Sequence, residues 1–412
     1  MIACKACETG KVQKFLSFGK LPMGNAFLRK DQLAGEPSFT LDLGFCPSCR
    51  LVQQISPAPL DVIQSVYKNY SYVPFGNTLE SHYAGLGKTI AEELDLGKDS
   101  FALDIGSNDG ILLKSMRRTS ACRILGIEPA EHISEMARES GVPTITAFFT
   151  SETAANVQKE HGQADVITVT QVLQHIPGVM QFLQDAVGLL KPRGTLVIEG
   201  RYFGDTVAKT SFDTVYHEML YFFTLESLDN LLGSVGMQVC KAQPVDIYGG
   251  SLRVYAKRKG TPVGALSDGS YRKLLNLERA KNLDKLSAYQ DFAKMVHLLR
   301  DELRKMVIDI KQSGSKIAGY GAPSTGTTLL SFCGIGREQL EYIVDDNPLK
   351  QGLLTPGTHV SIVPSSRLVE EPPDYLLIIA WRLADEIIPK VRPLLGKRNA
   401  IIPLPTPRVV GL

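Results

Sequence analysis

Two groups of residues in this chain have types and spacings suited to chemistry. Cys4 and Cys7 form one C-x2-C pair and Cys46 and Cys49 a second, and residues 8–45 between them carry Gly10, Gly19, Pro22 and Gly24. Each pair turns two thiolates toward one ion, so two pairs complete a tetrahedral site with no open position, which is the pattern of structural zinc. A redox pair and chance spacing are the alternatives. The second group is the segment 212–221, where Asp213, Tyr216, His217 and Glu218 crowd together ahead of a helical run from Leu225. Downstream, Tyr248-Gly249-Gly250-Ser251-Leu252-Arg253 places glycines and an arginine where a hairpin can meet an anionic ligand. Neither segment reads as a solvated charge face; the plain alternative is helix capping with ordinary ion pairs.

Such residues need elements to hold them. Residues 101–106 read as a buried strand running into the turn Ser107-Asn108-Asp109-Gly110, after which Ile111, Leu112, Leu113 and Met116 recur at helical spacing. Glycines let a backbone approach a ligand closely, and a helix N-terminus offers unpaired N–H groups. The next strand, 123–128, ends in Glu128, roughly 20 residues beyond Asp104, where a carboxylate accepts ribose hydroxyls. Asp104, Glu128 and the lack of a third phosphate-cradling glycine fit S-adenosylmethionine (SAM), which has no pyrophosphate, better than NAD or a ligand-free α/β domain. Strands at 164–169 and 194–199 and a helix at 182–190 extend a doubly wound parallel sheet, which places Gly106, Glu128, Thr170, His175 and Glu199 on one rim. His175 has the competing reading of a helix-start residue. Asn108, Asp109, Phe148 and Gln171 complete the cofactor-binding candidates, with Phe148 and Phe149 either flanking an adenine or closing the core. Tyr70 or Tyr72, ahead of a helix at 78–93, is read as a pocket residue or as an aromatic plug between domains.

A chain of 412 residues suggests two to three domains. The motifs divide it into a zinc-binding domain (1–55), a SAM domain (56–260), a helical linker (261–312) and a C-terminal α/β domain (313–412). The linker rests on residues 271–311, which lack proline and glycine and repeat apolar side chains at helical spacing. A second strand, glycine turn and helix begins at Lys316, and its turn and strand ends make Tyr320, Ser324, Thr325, Asp345 and Lys350 candidates for contact with an anionic ligand. A formal charge of +2 gives no support to coating of nucleic acid. Apolar runs such as 375–381 are far below the ~18 residues that cross a bilayer, and the first residues lack the apolar stretch of a secretory signal. Seven cysteines, an odd number, argue against a disulfide framework. The expectation is a cytoplasmic protein without nucleic-acid or membrane partners, monomeric or weakly dimeric.

The order CxxC…CxxC, DIGSNDG, GIEPA, FDTVYHE, GGSLR, GYGAPSTGTTLL, VDDNPLKQG and PGTHV resembles the nucleotide-sugar C-methyltransferases of deoxysugar pathways over nearly the whole chain. The resemblance implies an N-terminal zinc-binding domain, a central Rossmann-like SAM methyltransferase domain and a C-terminal Rossmann-like domain that holds the nucleotide-linked sugar. It further implies methylation, typically at C3, of the carbon beside the ketone of an NDP-4-keto-6-deoxysugar. That carbon loses a proton only to a positioned base and with its enolate oxygen stabilised, and the carbanion then takes the SAM methyl. By motif match, Tyr216 and Glu218 fall on active-site positions and His175 on the histidine after the fourth strand. His217 shares the motif in a catalytic or structural role, and Tyr72 joins the catalytic candidates. Tyr248, Ser251 and Arg253, with the C-terminal set above, are the substrate-contacting candidates. Two positions depart from the family. Its usual Tyr-His-Glu-His here ends in Met219, and its His-Gly-Gly-Ser begins with Tyr248. Methionine cannot take a proton, so either the base comes from His175 and Tyr216 with Glu218 orienting, or the methyl goes to oxygen or another carbon. A protein that binds SAM or nucleotide-sugar without turnover is the remaining reading.

Overall fold

The computed structural model describes residues 2–68 and 77–412. Tyr70, Tyr72 and Phe75 lie outside the described residues.

The central sheet has seven strands in the order Met237–Val245, Ser251–Arg258, Leu190–Arg201, Ala164–Thr170, Phe101–Ile105, Arg123–Ile127, Thr144–Ile145. The five strands from Leu190–Arg201 to Thr144–Ile145 are parallel. The expected wholly parallel sheet is therefore closed by an antiparallel hairpin, Met237–Val245 with Ser251–Arg258. Phe101–Ile105 is buried on both faces, as a central parallel strand must be. The chain leaves it toward one edge and later resumes on its other side, which creates a crevice beyond the strand's carboxyl end. Helix Ile111–Ser120 starts there and buries Leu112, Leu113 and Met116. Helix Leu225–Ser234 starts with a Thr224–Ser227 capping box, and the buried Glu278 carboxylate accepts the Leu225 and Glu226 N–H groups at 2.7 and 2.9 Å.

The N-terminal sheet contains Ile2–Ala3, Lys11–Pro22, Ser38–Phe45, Val52–Gln54 and a late fifth strand, Tyr221–Phe222. All four pairings are antiparallel. Leu41, Leu43 and Phe45 alternate inward along Ser38–Phe45. The C-terminal sheet orders Ile362–Val363, Ile343–Val344, Ile317–Tyr320, Tyr375–Ile378, Asn399–Ile402 and Arg408–Gly411, with only the last strand antiparallel.

The segment expected as a linker is two helices. Ser270–Ala280 packs back on the central domain, burying Leu274 and Glu278, and Leu286–Gln312 buries Tyr289, Phe292, Val296, Leu303 and Val307 against the outer two sheets. One apolar cluster joins the cysteine knuckles to the central sheet; another joins the N-terminal hairpin, the segment 212–222 and the C-terminal domain. Among the described residues, no helix is long and apolar enough to cross a membrane.

Candidate active site and metal centre

The crevice is lined by Asp104, Gly106, Ser107, Asn108, Glu128, Phe148, Thr170, Gln171, His175 and Tyr248, with Leu60, Ile63 and Tyr83 closing it from the helices. Asp104 is fully buried and accepts the Thr168 hydroxyl at 2.7 Å; burial pushes its carboxyl up to about 7. Glu128 accepts the Asn108 N–H at 3.1 Å and the Ala130 N–H at 2.9 Å, and its carboxyl is also raised by burial. Gly106 has φ +75°, and a Cβ there would strike Val172. The backbone around the crevice is otherwise held in unusual shapes: Asn108, Gln171 and Tyr248 all adopt left-handed φ. For a tyrosine this costs on the order of 1–3 kcal/mol, the kind of strain that collects at binding sites.

Beside the crevice a second group forms where all three domains meet. Glu218 is buried, and its carboxylate accepts the N–H groups of Gly24 at 3.2 Å and Asn25 at 3.0 Å and the Asn25 amide at 3.4 Å. Burial raises its carboxyl, with these donors opposing. His175 Nδ1 donates to the Glu218 carbonyl at 2.6 Å, which fixes the tautomer and leaves Nε2 deprotonated. Burial lowers His175 to about 4, so the ring is neutral at physiological pH. The Tyr216 ring lies 6.5 Å from the His175 ring, and its phenol is raised by burial, with the nearby Arg201 charge opposing. Arg201 also donates to the Tyr248 carbonyl at 2.8 Å. Gly24 admits this crowding: a Cβ there would sit 3.2 Å from the Ser324 carbonyl oxygen and 3.4 Å from the Tyr216 ring.

The four predicted cysteines converge, with all Sγ atoms within 4.8 Å of one another. Cys4 and Cys49 sulfurs are 3.6 Å apart and those of Cys7 and Cys46 3.7 Å. A tetrahedron of zinc–sulfur bonds requires an edge of about 3.8 Å, so the cluster fits zinc. Gln53 Nε2 donates to the Cys4 sulfur at 3.0 Å, as expected for a thiolate, and a Cβ on Gly10 would overlap Cys46 Sγ. All four positions are taken by sulfur, which makes the centre structural.

Three family models cover the chain: a zinc binding domain over residues 4–63, a methyltransferase domain over 80–242 and a C-methyltransferase C-terminal domain over 246–405. C-methyltransferase NovU of Streptomyces niveus is 31% identical over 99% of this chain and 96% of its own length. The chain belongs to the C-methyltransferase family. It is thus a SAM-dependent methyltransferase with an N-terminal zinc-binding domain. A ubiquinone biosynthesis O-methyltransferase of Actinobacillus pleuropneumoniae is 36% identical over 23% of this chain and 42% of its own. Among solved structures, magnesium protoporphyrin IX methyltransferase from Synechocystis PCC 6803 with bound SAM has a TM-score of 0.36 and 12% identity, over 50% of this chain and 100% of that one.

The C-methyltransferase's geometry sorts the sequence-predicted residues. Asp104, Gly106, Asn108, Glu128, Phe148, Phe149, Thr170, Gln171, His175 and Tyr248 share the crevice, and Phe149 also packs on Phe182 at 5.1 Å between ring centres. Asp109 is spent on the turn, its Oδ1 accepting the Ile111 N–H at 3.3 Å. His217 is a correction to the catalytic reading: it is 0% exposed, and Nε2 donates to the Leu21 carbonyl at 3.0 Å while its ring packs edge-on to Phe39. Arg253, expected to meet an anion, instead donates to the fully buried Glu199 at 2.7 Å, and His82 Nε2 donates to the same carboxylate at 2.7 Å. Burial works against ionisation of Glu199, but the two partners outweigh it and hold its carboxyl below the usual range. Ser251 is buried and holds Gln171 at 3.0 Å.

In the C-terminal turn, Asp345 accepts the Ala322 N–H at 2.7 Å and Lys350 Nζ donates to the Ala322 carbonyl at 2.8 Å, so the turn binds its own side chains. Tyr320 donates to Asp346 at 3.0 Å. Helix Ser324–Cys333 begins against Gly24, and Thr327 donates to the Gly24 carbonyl at 2.9 Å; Thr325, near its start, is buried. Sequence reasoning missed Arg201, His82 and the Gly24–Asn25 pair. A lone arginine at a strand's carboxyl end was the available signal for the first; nothing local marks the others.

Proposed function

We propose that the enzyme methylates the carbon α to the ketone of an NDP-4-keto-6-deoxysugar, with C3 the favoured position. The observation that carries this reading is the junction of His175, Tyr216, Glu218 and Arg201 beside the crevice, where a neutral base and a cation stand together. SAM occupies the crevice, with Glu128 accepting its ribose hydroxyls and Asp104 facing its positive charge. The sugar enters from the C-terminal side, near Tyr248, Ser324 and Thr325. His175 Nε2 removes the α-proton with the Tyr216 hydroxyl beside it, and the enolate oxygen is met by the Arg201 guanidinium. The carbanion then attacks the SAM methyl, breaking the methyl–sulfur bond and leaving S-adenosylhomocysteine. Glu218, tied to Gly24 and Asn25, orients the sugar or the base.

Met219 supports the second reading, transfer to oxygen or another carbon: it is 1% exposed within the apolar cluster and supplies no acid or base. Incubation with SAM and a dTDP-4-keto-6-deoxyhexose in deuterium oxide separates the two. Solvent deuterium at the α-carbon of recovered substrate, with a product whose added methyl replaces that hydrogen, supports C-methylation; an added methyl with the α-hydrogen retained and no deuterium in recovered substrate points to oxygen. Tyr216→Phe and His175→Asn are expected to slow turnover by about 100-fold or more, the usual contribution of a general base. Wild-type rates in both would remove them from the mechanism.

A further inference from the structure

We propose that Gln53 and Gln54 form a positioning device that ties the cysteine metal centre to the turn 216–219. The proposal rests on the reading that this turn carries reacting groups. Neighbouring residues of a strand send their side chains to opposite faces, and these two glutamines use both. On one face, Gln53 Nε2 donates to the Cys4 sulfur at 3.0 Å and its Oε1 accepts the Lys5 N–H at 2.9 Å. On the other, Gln54 Nε2 lies 3.1, 3.0 and 2.6 Å from the carbonyl oxygens of Tyr216, His217 and Met219. The Gln54 N–H donates to the Leu220 carbonyl at 3.0 Å, and His175 takes the Glu218 carbonyl.

Five successive carbonyls of the turn are therefore fixed by Gln54 and His175. Strand pairing continues the hold, with Gln53 opposite Tyr221 and Val52 opposite Phe222. Gln54 is 1% exposed, and its Oε1 has no hydrogen-bond partner among the described residues. Three buried carbonyls of the turn depend on its amide nitrogen, so an apolar side chain here would leave them unpaired. The donor end accounts for the glutamine: it sets the backbone that aims Tyr216 and Glu218. The metal anchors the adjacent residue of the same strand through Cys4 and Gln53.

The test is amide hydrogen exchange on the full chain, with Gln54→Met and Gln53→Met removing the donors at nearly constant volume. In Gln54→Met, amides of 216–220 are expected to exchange at least about 10-fold faster, with zinc content and SAM affinity within about two-fold of wild type. Stripping the metal with a chelator is expected to speed the same amides in wild type and to add little in Gln54→Met. Unchanged exchange in Gln54→Met, or equal acceleration by stripping in both proteins, overturns the link. Should Gln54→Met fail to fold, Gln53→Met decides: faster zinc release with faster exchange at 216–220 supports the link, and faster release with unchanged exchange overturns it. Deuterium incorporation into a dTDP-4-keto-6-deoxyhexose is followed in parallel. A loosened turn with undiminished incorporation overturns the placement of the reaction at this turn while the mechanical link stands.

Discussion

Asp104 illustrates how one buried side chain makes both folding and cofactor binding depend on pH. Unfolded, it ionises in the usual carboxylate range near 3.9; folded, burial pushes it up to about 7. Between those values the folded chain keeps a proton that the unfolded chain has released, so stability falls as pH rises from about 4 to 7. Asp104→Asn is expected to remove that slope, read as denaturation midpoints at pH 5 and 8. SAM carries net positive charge, which favours the ionised carboxylate, so its affinity is expected to strengthen from pH 6 to 8 with release of a proton. Calorimetry in buffers of different ionisation enthalpy measures that proton, and a pH-independent affinity would place Asp104 away from the sulfonium. The four cysteines were legible in the sequence because each pair shares a motif, whereas the Thr168 hydroxyl that meets Asp104 comes from 64 positions away. Glu218 stood out within its motif, but its support did not: Gly24 and Asn25 lie some 190 positions away. Of the two roles open to His217, its burial and its bond to the Leu21 carbonyl favour the structural one, because adjacent residues of one motif point in different directions.

Among the elements, the glycine turn after Phe101–Ile105 was the most readable, since a buried strand, a turn and a helical period follow in order. Gly106→Ala is expected to cost about 1–3 kcal/mol, through left-handed strain and collision with Val172, and to weaken SAM binding at least 10-fold. Thermal unfolding and a binding isotherm measure the two effects. Glu278 holds the start of helix Leu225–Ser234, and Glu278→Ala leaves the Leu225 and Glu226 N–H groups buried; a loss of about 1–3 kcal/mol in denaturant unfolding is expected. That capping carboxylate was unreadable because it arrives from another helix. The strand Tyr221–Phe222 was equally hidden: two residues carry no periodicity, and its partner, Val52–Gln54, lies in another domain. The antiparallel hairpin closing the central sheet was foreseen as a turn at Tyr248–Arg253 but not as its edge, because pairing direction leaves no mark in an apolar run.

Across the molecule, three sequence blocks become one interlocked body. Leu28 and Leu354 exchange backbone hydrogen bonds at 3.1 and 2.8 Å, and Glu36 takes His359 at 2.7 Å, both joining the first domain to the last. The buried Asp213 receives Arg382 through two bonds of 2.8 Å and the Trp381 indole at 2.9 Å, bolting the central domain to the C-terminal one. Asp213→Ala strands a partly buried guanidinium and is expected to cost about 3–5 kcal/mol. Trp381 is the sole tryptophan of the chain, so its emission is expected to shift with the same substitution, giving a readout of the junction apart from global unfolding. The pairing of Val52–Gln54 with Tyr221–Phe222 also has a meaning for synthesis. Chains emerge at about 5–20 residues per second, so the edge of the first sheet waits about 10–30 s for the strand that covers it. During that interval the nascent N-terminal segment presents an open β-edge to its surroundings, and closure of that edge is timed by translation of the domain that it will later support.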